Sequence, residues 1–215
     1  IISNDEICQL KSIPKKVLLV GGGKWGAEAA LGLQKLGCKV FLCVDSAEII
    51  PEMDPEFNLK VEAQLKSRKI KILPGKKIIS FFKKVDDLEM TLETGIKFTT
   101  NLIVMMGEGR GGELNKVAES IGARLGSKDE IFVDDRMMSS IPDVYGVGSI
   151  TGKYVTDMMS QEQGKVAAEN AMGKNRQLNR EWVPEINRFV QNVGYVGCSM
   201  KSAPQQGFHP VEGIY

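Results

Sequence analysis

The 215-residue sequence holds a single histidine, four cysteines and only 7% aromatic residues. One histidine and four scattered cysteines cannot assemble a zinc site, which needs closely spaced nitrogen and sulfur ligands. The cysteines are also too sparse to staple a small secreted domain. Neither sign of charge prevails: 28 Lys and Arg stand against 27 Asp and Glu, a net charge of +1. That leaves no field with which to hold nucleic acid or an anionic membrane. Long hydrophobic runs are missing as well. Leu102–Met106 is among the longest, far short of the roughly 18 residues a membrane span requires. No secretory leader is visible, and the chain starts at Ile1 rather than Met. A processed or truncated piece is therefore expected, and targeting is left unread. The compartment stays open, with an intracellular one, cytoplasm or mitochondrial matrix, favoured.

What is present is the balance of a globular protein, 42% hydrophobic and 26% charged residues, enough to bury a core. Glycine is in excess at 23 residues, where average usage would give about 15. Residues 1–14 end at Ile13-Pro14 and read as a linker. Lys16–Val20 is a short apolar strand that runs straight into Gly21-Gly22-Gly23-Lys24-Trp25-Gly26. Ala27–Leu36 has helical apolar spacing and closes on Gly37, as a helix end favours. Lys39–Val44 is a second strand, Asp54–Ser67 an amphipathic helix and Lys69–Leu73 a third strand. Lys76–Phe82, Leu88–Glu93 and Ile96–Thr99 read as an antiparallel meander, and Leu102–Met106 as a buried strand before a glycine-rich loop at 107–112. This order predicts a doubly wound, Rossmann-type α/β domain over residues 15–125. Further on, strands are expected at Glu130–Asp134 and Asp143–Val147, and a helix at Thr156–Met172. Ile131, Val133, Val144, Tyr145 and Val147 are then strand residues in need of a covering layer.

The G-x-G-x-x-G run carries chemistry because it sits between a strand and a helix. Gly21 permits the tight turn, Gly23 lets a pyrophosphate approach the backbone, and Gly26 lets helix and strand pack closely. The helix N-terminus then turns free N–H groups toward the phosphates. A glycine-rich turn that no longer binds a nucleotide is the plainer alternative. An acid at the end of the second strand should meet the adenosine ribose. Asp45 lies 24 residues after Gly21, and no Arg or Lys flanks it to receive a 2′-phosphate, which favours NAD over NADP. The alternative for Asp45 is a solvated turn residue. Cys38 and Cys43 form a C-x4-C, but on a strand they lie about 16 Å apart, beyond the roughly 7 Å a disulfide spans. They read as packing residues. His209 has no nucleophile partner of recognisable spacing, and no G-x-S-x-G occurs.

These motifs, in this order, resemble the class I pyridine nucleotide–disulfide oxidoreductases, and among them the dihydrolipoamide dehydrogenases. The likeness is carried by Ser3–Ile7 and Ile13-Pro14-Lys15, and by Gly21–Glu28 in its G-x-G-x-x-G-x-E form. Leu36-Gly37, Ile49-Ile50-Pro51 with Asp54, and Ile103–Gly107 with Arg110 follow. Val133-Asp134, Ile141–Gly148 with Thr151-Gly152, Gly164–Asn170, Val183-Pro184 and Tyr195-Val196-Gly197 complete it. The resemblance implies a flavoprotein that moves electrons between NAD, FAD and a redox disulfide. It implies that Gly21, Gly23 and Gly26 contact the NAD pyrophosphate, that Glu28 lies by the nicotinamide, and that Gly107 belongs to the same cofactor site. Gly148 and Ser149 would touch FAD, in a segment (126–178) returning to the flavin domain. Residues 179–215 would begin a truncated dimer-interface domain.

The family's N-terminal FAD segment, its cysteine pair and most of its interface domain with the catalytic His-Glu pair are not in these residues. His209-Pro210-Val211-Glu212 has the wrong spacing for that pair, so no catalytic residue is assigned. Ser149 stands where the family has an acid, the ribose acid aligns with Val44 rather than Asp45, Lys24 and Trp25 replace residues that are usually aromatic or aliphatic beside the nicotinamide, and the loop around Arg110 is longer. Two readings follow: the NAD-binding portion of such an enzyme, or a degenerate relative kept as a structural subunit of an assembly. A free-standing NAD-sensing module explains the glycine run but not the half-built segments after residue 125. Either of the first two needs a missing N-terminal segment or a partner chain, so an oligomer or complex subunit is expected.

Overall fold

The computed structural model describes residues 1–213 apart from 22, 52, 86, 107–111, 127–128, 153–155 and 190, with only the backbone of 112–115. The chain divides into two compact units. The first comprises 1–107, 187–193 and 199–215, and the second 108–186 and 194–198. This partition departs from the sequence expectation in two places. The helix at 112–120 groups with the second unit instead of closing a domain at 125. Parts of the expected interface segment return to the first unit.

The first unit is built on a parallel sheet. Its strands are β1 (Ile2–Ser3), β2 (Lys16–Val20), β3 (Lys39–Val44), β4 (Lys71–Pro74) and, numbered β8 in chain order, Leu102–Met105, in the order β1-β8-β2-β3-β4. Helices α1 (Gly23–Lys35) and α2 (Pro55–Ser67) make the crossovers between β2, β3 and β4. Because successive side chains of a strand alternate in direction, each central strand feeds two cores. Val17, Leu19, Val40, Leu42, Val44 and Val104 pack with α1 and α2, including Ala27, Ala30, Val61 and Leu65. Leu18, Phe41, Cys43 and Ile103 pack on the opposite face. That face is covered by the meander β5 (Ile78–Lys83), β6 (Leu88–Leu92) and β7 (Lys97–Thr100), an antiparallel sheet in the order β5-β6-β7. Met90, fully buried, is its central contact. The expected meander and Rossmann-type fold are thus both present, with helices on one side and the meander on the other.

The segment expected to be a linker is partly structured. Ile2 and Ser3 extend the sheet by pairing with Val104 and Met105. Asn4–Gln9 then forms a 3-10 turn, closed by Glu6, whose carboxylate accepts from the Ser3 N–H at 2.8 Å and hydroxyl at 2.9 Å.

The second unit contains α3 (Gly112–Ser120) and α4 (Asp157–Ala171). The strands expected at 130–134 and 143–147 do not form as strands. Only isolated bridges occur, Leu125 to Ile131, Val133 to Ser139 and Met138 to Tyr145. The chain turns back too soon to build a ladder: Asp134 Oδ1 accepts from the N–H groups of Arg136 and Met138, and Met137 takes a positive φ of 64°. Ile131 and Val133 still find cover, with Ala118 and Ala123 and with Met137, Met159 and Val166. Phe132 and Val147 remain exposed. The short strands β9 (Glu185–Asn187) and β10 (Val193–Tyr195) pair with each other. Among the described residues no helix is long and apolar enough to cross a membrane.

A buried amide organises the loop after β3. Asn58, on α2, accepts from the Ile50 N–H at 3.0 Å and donates to the Ile50 and Met53 carbonyls at 2.6 and 3.3 Å. Replacing it by Ala strands these buried main-chain groups, at about 1–3 kcal/mol for a stranded group. We expect Asn58→Ala to lower the unfolding free energy by at least about 1 kcal/mol in urea titrations. A shift smaller than about 0.5 kcal/mol, the range of ordinary surface changes, would show that the clamp is not stabilising.

Candidate functional site

The site grows from the end of β2. Val20 pairs with Cys43 of β3 on one side and Met105 of β8 on the other. The chain therefore leaves the sheet at the carboxyl edge of its parallel strands, between β3 and β8, the edge at which open α/β sheets bind ligands. Gly21 donates its N–H to the Cys43 carbonyl at 2.9 Å and turns with φ 102°. A Cβ at Gly21 would lie 2.8 Å from the Met106 carbonyl oxygen, and one at Gly26 would lie 2.8 Å from the Gly21 carbonyl oxygen and 3.3 Å from a Leu42 methyl. Both contacts are with rigid neighbours, so only glycine lets α1 come this close. Gly23 is different. Its φ is 68°, and a Cβ there would meet nothing within 4 Å. That open space lies over the first turn of α1, where Lys24 and Trp25 have no carbonyl one turn back to receive their N–H groups.

The Gly23 N–H itself is taken, donated to the Ile49 carbonyl at 2.9 Å. Through the Asn58 clamp on Ile50, α2 thus steadies the glycine turn. The sequence reading missed this, although Asn58 stands in the buried stripe with Val61 and Leu65, and a polar residue in such a stripe is a signal. Trp25 is 48% exposed, and the Lys24 ammonium lies 5.4 Å from its ring centroid.

Glu28, one helical turn further on, accepts from the Arg188 N–H at 2.8 Å. The neighbouring Phe189 is buried in the helix-side core, and the Gln191 N–H donates to Gln64 Oε1 at 3.1 Å. Residues 188, 189 and 191 are therefore fastened to α1, the helix-side core and α2. Nothing local in the sequence signals this.

Asp45 follows the last residue of β3 and is exposed, whereas Val44 is 1% exposed and packed toward the helices. Asp45 lies on the other side of the pleat, where its charge reaches Cys43. Gly107 falls outside the described residues. Gly148 and Ser149 lie in the second unit. Gly148 takes φ 76° and donates its N–H to Gln163 Oε1 at 2.7 Å. Ser149 is exposed at the head of the 3-10 turn Gly148–Thr151. The structure thus groups Gly21, Gly23, Gly26 and Glu28 with the end of β3, and holds Gly148 and Ser149 in a separate unit.

All four cysteines are free thiols, Cys8 and Cys198 exposed, Cys38 and Cys43 buried. Burial pushes the Cys38 thiol up. Burial and then the Asp45 carboxylate push Cys43 up, and its Sγ donates to the Lys76 carbonyl at 3.0 Å. A raised thiol stays protonated at neutral pH and is a poor nucleophile, in keeping with packing roles. Among the described residues no group of three or more His, Cys, Asp or Glu could hold a metal ion.

Comparison with known proteins agrees with this geometry. The family model described as pyridine nucleotide-disulphide oxidoreductase matches residues 1–172. A dihydrolipoyl dehydrogenase of Chlamydia muridarum is 28% identical over 207 residues, covering 96% of this chain and 44% of the relative. One from Thermus scotoductus is 29% identical over 210 residues, covering 95% and 45%. The chain spans less than half the length of these relatives. Among solved structures, the HOCl-induced flavoprotein disulfide reductase RclA of Escherichia coli superposes with a TM-score of 0.84 at 16% identity, over 96% of this chain and 47% of that one. LpdA of Mycobacterium tuberculosis gives 0.82 at 20% identity, over 96% and 45%.

The thiols supply a direct check. In the folded protein at neutral pH, Cys8 and Cys198 should react quickly with a thiol-specific disulfide reagent, and Cys38 and Cys43 only on unfolding. Because the thiolate is the reactive form, any Cys43 labelling should keep rising with pH above the ordinary thiol range. Four equally fast thiols would contradict the packing described.

Proposed function

Because the chain belongs to the pyridine nucleotide–disulfide oxidoreductase family, we propose that its first unit is the NAD-binding portion of a dihydrolipoamide-dehydrogenase-like flavoprotein. The reading rests above all on the glycine turn, where Gly21 and Gly26 permit close packing and Gly23 leaves a cradle that a Cβ would fill. The residues present fit NAD. Gly21, Gly23 and Gly26 would admit the pyrophosphate, with the Lys24 and Trp25 N–H groups and the α1 dipole meeting its charge. Asp45 would exclude a 2′-phosphate from the ribose end. Glu28, steadied by the Arg188 main chain, would sit by the nicotinamide, and Gly107 would line the same site. Bound NAD supplies the hydride-accepting ring, and this chain's residues orient it.

The residues present do not by themselves fit FAD. The Gly148 N–H is committed to Gln163, and Ser149 offers a hydroxyl where a carboxylate is expected. In this reading the flavin and the redox disulfide come from outside these 215 residues, on the same polypeptide or a partner chain. Gly148 and Ser149 would then form one border of the flavin site. The isolated 215 residues should therefore produce no NADH from dihydrolipoamide.

A second reading, a relative retained as a structural subunit of an assembly, is favoured by one observation: all four thiols are free, and Cys38, just before β3, and Cys43, within it, are buried. The absorbance spectrum of the protein purified from its natural source separates the two. Flavin bands support the enzyme reading, and their absence supports the structural one.

Nucleotide titration, followed by the fluorescence of Trp25, tests the binding site. NAD should bind, and NADP more weakly. Gly23→Ala should weaken NAD at least about tenfold by filling the cradle, while its positive φ costs only about 1–2 kcal/mol of stability. Equal NAD affinity in that variant would remove the glycine turn from the site, and tighter NADP than NAD would remove Asp45 from the ribose.

A further inference from the structure

The meander carries an edge that the nucleotide reading does not use. β5 pairs with β6 on one side only and ends the sheet order β5-β6-β7. Edge strands of soluble proteins are ordinarily blunted by a central charge or a proline. From Ile78 to Phe82, β5 has neither; its register shifts between Ile78 and Ser80 and runs regularly from Ser80 to Lys83. Ile79, Phe81 and Phe82 are 62%, 55% and 63% exposed. The register places Phe81 opposite Met90 and Phe82 opposite Glu89, so the two rings project from opposite faces of the pleat. An unpaired edge with exposed apolar side chains is a ready template for pairing with another strand.

The ends of the strand say which neighbour fits. Lys76 and Lys77 precede it, and Lys83 and Lys84 close it. Lys84 is paired with Glu89 at 2.5 Å, and among the described residues no ion pair is found for Lys76, Lys77 or Lys83. A second copy of this chain docked antiparallel would bring Lys83 and Lys84 against Lys76 and Lys77, and docked parallel would bring each lysine against itself. Like charges directly opposite one another destabilise a strand pair. The lysines thus bar self-pairing and select the opposite charge, a repulsive element that also sets specificity.

We propose that β5 is the docking edge for an extended segment of another protein, apolar in its middle and acidic at both ends, which adds a strand to the meander. Main-chain hydrogen bonds along the six residues of β5 give the affinity. Phe81 and Phe82 grip the segment from its two faces, and Lys76, Lys77 and Lys83 hold its ends.

The test uses the whole chain and a fluorophore-labelled synthetic peptide with paired glutamates at each end and alternating valine and threonine between them. Anisotropy should show binding that weakens with salt. Binding should be at least about tenfold weaker for the double variant Lys77→Glu, Lys83→Glu, which should in turn prefer the same peptide with lysine ends. Phe82→Ser should weaken both peptides alike. These positions are exposed, and an unchanged circular dichroism spectrum confirms folding; Lys77→Ala serves as a milder second variant. Three results would each overturn the proposal: no binding of the acidic peptide, equal affinity for acidic and basic peptides, or sedimentation with phosphatidylserine vesicles in place of peptide binding.

Discussion

The approach of α1 to the end of β2 is the constraint on which the first unit depends. The Gly21 carbonyl sits where any side chain at Gly26 would have to go, so helix and strand touch through backbone alone. From that contact follow the direction of α1, the burial of Ala27 and Ala30 against the sheet, and the open space over Gly23. A Cβ at Gly26 would meet that carbonyl and push the helix outward, whereas one at Gly23 would meet nothing of the protein and only occupy the space over the turn. Here the requirement for packing and the requirement of the proposed nucleotide site fall on the same atoms.

The turn is also supported from a distance. Asn58 holds Ile50, Ile49 receives the Gly23 N–H, and the meander is tied to β3 by the Cys43 thiol. The two faces of the sheet have different partners, yet both reach the residues around its carboxyl edge. Val44 and Asp45 divide them: the first turns into the helix-side core, and the second stays in water beside the opposite face. A shift of one residue at a strand end is enough to exchange those roles.

What could be read from the sequence was what short-range physics decides. The glycine turn was legible because each glycine answers a local demand, and the helices at 23–35, 55–67 and 157–171 because apolar spacing and caps agree. The meander was legible through its β-rich runs and the Gly95 turn. Residues 130–147 misled because apolar alternation describes a surface, whereas a ladder also needs a partner strand, and the chain turns back at Asp134 before one can form. The strand at Ile2–Ser3 was hidden by its shortness. Within the site, Gly21, Gly23 and Gly26 were visible at once, while the tether on Glu28 was not, since Arg188 lies 160 residues away along the chain.

That separation has a consequence for how the protein is made. Residues 1–107 leave the ribosome before Phe189, which completes their core, and before Lys201, whose ammonium reaches Glu48 across 153 residues. At bacterial or eukaryotic elongation rates this is a delay on the order of ten seconds. During it the nascent sheet carries an uncovered apolar patch beside Glu28.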